Sequence, residues 1–115
     1  MSQENIGAKA FIAGEDLEAY RRVKLSSGKG DTVEYADAGE AFIGITAAKV
    51  SEGDFVTVNL KTTGRTFKIT AEAAISEGGL FYGADDGKAG VTVSGSTIGT
   101  ALELTTGDLE IFEGY

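Results

Sequence analysis

The sequence contains no cysteine, no histidine, no proline and no tryptophan. Without cysteine there is neither a disulfide framework nor thiolate chemistry. Losing histidine as well removes the commonest general base and the best transition-metal ligands, so a Ser-His-Asp or Cys-His arrangement cannot be assembled. Carboxylates, lysines, serines and tyrosines remain. Two carboxylates suffice for glycoside hydrolysis, but only in a substantial cleft, which a chain of 115 residues built from short hairpins rarely offers. The expectation is a protein that is not an enzyme, with no catalytic residues, no cofactor and no metal site.

Positive charge is also scarce, with 10 Lys and Arg against 18 Asp and Glu and a net charge of −8. Such a field repels phosphate, so no nucleic-acid partner is expected. The one basic cluster, Arg21-Arg22 with Lys24, reads as a solvated strand face. No apolar run approaches the ~20 residues needed to cross a bilayer. Met1-Ser2-Gln3-Glu4-Asn5 lacks the basic-then-apolar pattern of a signal peptide. A soluble protein made in the cytoplasm, without a membrane partner, is expected. Its net charge suits a product made in many copies.

What is present favours strands. Seventeen glycines supply the positive φ angles of tight turns, and threonine suits a half-buried pleated surface. Alternating apolar and polar residues mark strands at Lys9–Ala13, Tyr20–Leu25, Thr32–Tyr35, Ala41–Ala47, Phe55–Leu60 and Thr66–Thr70. Further strands are expected at Leu80–Tyr82, Gly90–Val93, Thr97–Glu103 and Leu109–Phe112. In Phe55–Leu60, Val56, Val58 and Leu60 share one face. Phe67 and Ile69 are read as inward, and Thr62-Thr63-Gly64 as a hairpin turn between these strands. The only helical piece expected is a turn at Ala71–Ile75. The predicted fold is all-β, a small single-domain β-barrel or sandwich of short antiparallel strands with at most one short helical turn. Residues 1–8 are expected to form a flexible N-terminal arm, and 9–115 a single β domain.

An internal duplication is also visible. Ile43-Gly44-Ile45-Thr46-Ala47, then Gly53-Asp54 and Phe55–Leu60, recur as Ile98-Gly99-Thr100-Ala101, then Gly107-Asp108 and Leu109–Phe112. Val23-Lys24-Leu25 with Gly28-Lys29 loosely parallels Leu80-Phe81-Tyr82 with Gly87-Lys88. The alternative is that glycine-rich β sequences look alike through composition alone.

Motifs suggestive of ligands resolve into turns. Asp85-Asp86-Gly87 lacks the spacing of an EF-hand and reads as a hairpin turn, and Gly28-Lys29-Gly30-Asp31 lacks the P-loop pattern and reads as a hairpin tip. Glu15, Asp16, Glu18, Glu34, Asp37, Glu40, Glu72 and Glu77 read as solvated surface. Phe11, Phe42, Phe55, Phe67, Phe81 and Phe112 read as core.

The order of these features carries a resemblance. Tyr20-Arg21-Arg22-Val23-Lys24-Leu25-Ser26-Ser27-Gly28 is followed by Ile43-Gly44-Ile45, Gly53-Asp54, Val56–Leu60, Ala71–Ile75 with Gly78-Gly79, and Asp86-Gly87-Lys88-Ala89. The chain closes with Ile98-Gly99-Thr100-Ala101-Leu102-Glu103 and Gly107-Asp108. From about residue 8 to 112 the chain resembles the head decoration, or capsid cement, proteins of tailed bacteriophages. The ending Ile98–Glu103 is the most specific element. It departs from the family at Glu110–Tyr115, an acidic, aromatic tail that either closes the barrel or reaches a neighbour. The resemblance implies a structural virion protein on the outer capsid surface that clamps capsomers of the major capsid protein, as a homo-trimer, and brings no catalytic residues. The Gly28 and Gly87 tips and the arm Met1–Ala8 are candidate contacts. The alternative is a β-sandwich module binding carbohydrate or another surface ligand, which exposed aromatics in one planar cluster would support.

Overall fold

Residues 8–61 and 66–115 are described in the computed structural model; the Thr62-Thr63-Gly64 turn and most of the N-terminal arm lie outside them. Five strands precede the gap: β1 (Ala8–Ala13), β2 (Arg22–Leu25), β3 (Thr32–Tyr35), β4 (Gly44–Thr46) and β5 (Phe55–Leu60). Five follow it: β6 (Phe67–Thr70), β7 (Leu80–Gly83), β8 (Ala89–Gly90), β9 (Gly99–Thr100) and β10 (Ile111–Gly114). The all-β expectation holds. The alternation in β5 puts Val56 and Val58 inside and leaves Phe55, Thr57 and Asn59 outside.

The first five strands close into a barrel in the order β1-β3-β2-β4-β5. All its pairings are antiparallel except the short parallel contact of β1 with β3, through Ile12↔Thr32 and Ala13↔Val33. The last five strands trace the same circuit with shorter pairings. β6 pairs with β10, and β8-β7-β9 form a second sheet. The bridges Ala71↔Ala89 and Ala101↔Gly114 join the two sheets at the places where β1 meets β3 and β4 meets β5 in the first barrel.

The two halves match in register. Phe11↔Val56 corresponds to Ile69↔Phe112, Leu25↔Val33 to Gly83↔Ala89, Val23↔Gly44 to Phe81↔Gly99, and the bridge Leu17↔Val50 to Ile75↔Thr105. Loop hydrogen bonds repeat too: Tyr20 N–H donates to the Thr46 carbonyl as Gly78 N–H donates to Ala101, and Gly53 to Ala13 as Leu109 to Ala71. The duplication is therefore a property of the fold. Two sequence matches shift: the partner of Gly53 is Leu109, not Gly107, and that of Val23 is Phe81, not Leu80. Gly53 has φ +89°, and Leu109 adopts φ 68° to do the same job.

Each barrel has its own core. Phe11, Ala13, Leu17, Val23, Val33, Val56 and Val58 fill the first. Ile69, Ala71, Ile75, Phe81, Ala89, Ala101 and Phe112 fill the second, which Ile45 of the first barrel joins. Gly44 and Gly99 occupy equivalent positions where a Cβ would strike the carbonyl oxygen of the facing strand, on Asn59 and Tyr115 respectively. That close approach is what a glycine in a strand interior permits.

Several expected boundaries move for local reasons. β2 begins at Arg22 because Tyr20, with φ 60°, turns the chain first; its counterpart Gly78 has φ +76°. Gly90–Val93 shrinks to Ala89–Gly90, and Thr97–Glu103 to Gly99–Thr100 followed by the Ala101 bridge. Ala71–Ile75 is not helical. Ala71 N–H donates to Glu110 and Glu72 N–H to Ala89, so long-range partners take the donors a helix would use. The one helical turn among the described residues is a 3₁₀ turn at Asp85–Gly87, which links β7 to β8 as the hairpin expectation requires. The tail closes the second barrel, since β10 pairs with β6 from Ile111↔Thr70 to Gly114↔Phe67.

Candidate interaction surface

Arg22 is where the solvated-face expectation fails. Its side chain is 0% exposed because it points out of the first barrel into the second. Arg22 Nε donates to the Lys88 carbonyl at 3.2 Å, and Nη2 to Ala84 at 2.6 Å and to Ala36 at 2.9 Å. One guanidinium thus ties carbonyls of both halves, a task suited to its planar fork of donors. Burial lowers the pKa of Arg22, opposed by the charges of Asp37, Glu40 and Asp85. Its guanidinium carbon lies 5.5 Å from the centre of the Phe42 ring, a cation–π contact.

The β7–β8 hairpin of the second barrel caps this arginine. A Cβ on Gly83 would lie 2.7 Å from Arg22 Cζ, and one on Gly87 2.5 Å from the Arg22 carbonyl oxygen. Arg21, also buried, donates from Nη1 to the Asp86 carbonyl. Asp37 accepts from Asp86 N–H and Asp85 accepts from Ala38 N–H, a reciprocal pair across the junction. The Gly87 tip is therefore spent within the chain. At the Gly28 tip, with φ +76°, a Cβ would meet nothing within 4 Å among the described residues.

Only Lys24 of the basic cluster behaves as a surface group. It pairs with Glu40 at 2.7 Å and Glu34 at 3.6 Å. The Glu40 hydrogen bond raises the Lys24 pKa, and the same bond, followed by the one from Asp37 N–H, lowers that of Glu40. The remaining acidic residues of the sequence analysis are exposed, apart from the half-buried Glu34.

Exposed apolar side chains gather on the second half. Among the described residues Leu80, Val91, Val93, Leu102, Leu104, Leu109, Ile111 and Tyr115 are bare there, against Leu25 and Phe55 on the first. Phe55 is 73% exposed and so leaves the expected core; Phe42 and Phe67 are half-buried, and Phe11, Phe81 and Phe112 are buried. Among the described residues the exposed aromatics are Phe55 and Tyr115, on different halves, which is not the planar cluster of a sugar platform. An open cleft of about 1250 Å³ separates the halves, lined by Tyr20, Phe42, Lys61, Phe67 and Tyr115 among others. Lys61 already sits over Phe42 at 4.7 Å. Sequence reasoning missed the junction because nothing local distinguishes a buried arginine from a solvated one. The duplication read from the sequence set Leu80 against Val23, one residue out of step; in the structure Leu80 stands where Arg22 does.

The fold is shared with a solved structure. The crystal structure of the head fiber gp8.5 N base in bacteriophage phi29 aligns with a TM-score of 0.78 at 20% identity, covering 93% of this chain and 90% of that one. At that identity the match establishes a common fold. No protein-family model matches the chain, and a search of curated proteins gives no match.

Proposed function

We propose that this protein is a structural component of a tailed-phage virion, made in the host cytoplasm and carried on the outer surface of the mature head. It acts without catalysis, by binding the major capsid protein and stabilising contacts between capsomers, as a homo-trimer at local three-fold positions. The observation that carries this reading is the fold shared, over nearly the whole of both chains, with a base described as part of a phage head fiber. The order of motifs from Tyr20 to Glu103 agrees with it. So does the distribution of apolar side chains on the second half, since exposed apolar patches mark docking surfaces more often than sites of chemistry. Many weak contacts repeated over a lattice give strong overall attachment.

Co-sedimentation with undecorated heads tests the reading. Saturable binding to expanded heads but not to procapsids, together with a higher melting temperature of the decorated shell, is expected. Binding without a gain in shell stability would leave a decorating role and remove the cement role. Failure to bind matched heads at micromolar concentration would overturn both.

A further inference from the structure

The contact between the two halves joins unlike surfaces of like units. The first barrel presents an outward row formed by Arg22 on β2 and Ile45, its cross-strand partner on β4, with the Ala36–Asp37 turn beside it. The second barrel presents the end of a hairpin, Gly83 to Lys88. Because the units match in register, each barrel owns a copy of both surfaces, and the chain uses one of each.

The two unused copies are both on view. On the second barrel, Leu80 replaces Arg22 and pairs with Thr100, which replaces Ile45. Leu80 is 54% exposed, and Val93, near the counterpart of Asp37, is 72% exposed. On the first barrel the hairpin from Leu25 to Thr32 replaces Gly83 to Lys88. Its Leu25 is 41% exposed, and a Cβ on its tip residue Gly28 would meet nothing within 4 Å among the described residues.

We propose that a second copy of this chain docks here, its β2–β3 hairpin seated on the Leu80 face, repeating between chains the contact that joins the halves within one. The side chains suit the exchange. Within the chain a large side chain, Arg22, lies over a glycine, Gly83. Between chains the same two positions hold Leu80 and Leu25, two medium apolar groups in place of one large charged group and none. The buried charge and its carbonyl acceptors give way to an apolar contact, which explains why leucine stands bare at position 80. A contact between unlike surfaces closes into a ring or runs on as a filament. The surfaces stand apart from the capsid role; only the closing of the ring at three copies rests on the trimer proposed above.

The test uses Leu80→Lys and Leu25→Lys, both at exposed positions, with thermal melts confirming that each variant folds. Sedimentation velocity over a concentration series should show wild-type chain associating, and each variant alone monomeric, with affinity reduced roughly a hundredfold by the desolvated charge. Mixing the variants is decisive. Leu80→Lys keeps a sound hairpin and Leu25→Lys a sound face, so the mixture should form a one-to-one dimer and nothing larger. A wild-type chain that stays monomeric to millimolar concentration, variants that associate as wild type does, or a mixture that stays monomeric would each overturn the proposal. No heads are present in this test, so its failure leaves the capsid reading standing, and failure to bind heads by a chain that self-associates counts against the capsid reading alone.

Discussion

The first barrel closes on ladders of two to five paired positions, the longest joining β1 and β5 from Ala8↔Asn59 to Ile12↔Phe55. The second reaches the same closure with one four-position ladder, β6 with β10, two ladders of two positions and two single bridges. Their cores differ as much. Val23, Val33 and Val58 share the load in the first, whereas in the second Phe81 occupies the centre, edge-on to Phe112 at 5.0 Å, and Ala89 and Gly114 shrink to make room. A Cβ on Gly114 would lie 2.8 Å from the Phe81 ring. Large and small side chains thus trade places among the matched core positions. What the two halves keep in common is narrower: register, the glycine at Gly44 and Gly99, and left-handed residues at the same corners. Outward positions diverge freely, and there the second half becomes apolar and bare.

The two halves should come apart most readily at the junction. Arg22→Ala leaves the Ala84 and Lys88 carbonyls without their buried charged donor. We expect a loss of about 3 kcal/mol or more, at roughly 1.5–3 kcal/mol per hydrogen bond to a charged group, read as a lower urea midpoint. Arg22→Lys should not restore it, because a single ammonium cannot reproduce the planar fork. Unfolding of the Arg22→Ala chain should split into two transitions, one for each barrel.

Exchanging core volumes tests how far the two packings are interchangeable. Gly114→Ala should destabilise by about 1–3 kcal/mol through overpacking against Phe81. Phe81→Leu, which costs stability on its own, should recover part of that loss when combined with it. A double-mutant cycle in urea checks this, and additive effects would mean that the two positions do not exchange volume.

Smaller effects are expected at a corner and at the surface. Leu109 takes a left-handed conformation that its counterpart Gly53 adopts without strain. A non-glycine residue there costs about 1–2 kcal/mol, and glycine returns part of that as entropy. Leu109→Gly should therefore raise the melting temperature slightly, whereas Gly53→Leu should lower it. The Glu40–Lys24 pair sets the smallest effect. Glu40 has a folded pKa below its unfolded value, so its contribution is present above the ordinary carboxylate pKa and is lost as pH falls through the lowered one. Glu40→Gln should flatten the acid limb of the stability–pH profile by bringing the neutral plateau slightly down towards the acid value.

Much of the fold was legible because alternation and glycine spacing are local signals. Thr32–Tyr35 and Phe55–Leu60 need nothing beyond their own residues. Ile43-Gly44-Ile45 and Ile98-Gly99-Thr100 exposed the repeat because the same close approach demands glycine in both. Three features escaped because their causes are distant in sequence. Ala71–Ile75 has helical composition, but its donors are claimed by residues from β8 and the segment before β10. Leu109 hides a glycine-like corner behind an ordinary side chain. Arg22 looks like surface until the second barrel is placed over it, and with it the junction and the matching bare face at Leu80 were out of reach.

A cryo-electron microscopy reconstruction of expanded heads saturated with this protein would test the capsid role at its root. A protein that stabilises the shell from outside should give added density on the outer surface, at positions between capsomers, that the paired barrels fit. Expanded heads that show no such density, or density confined to the interior of the shell, would contradict that role.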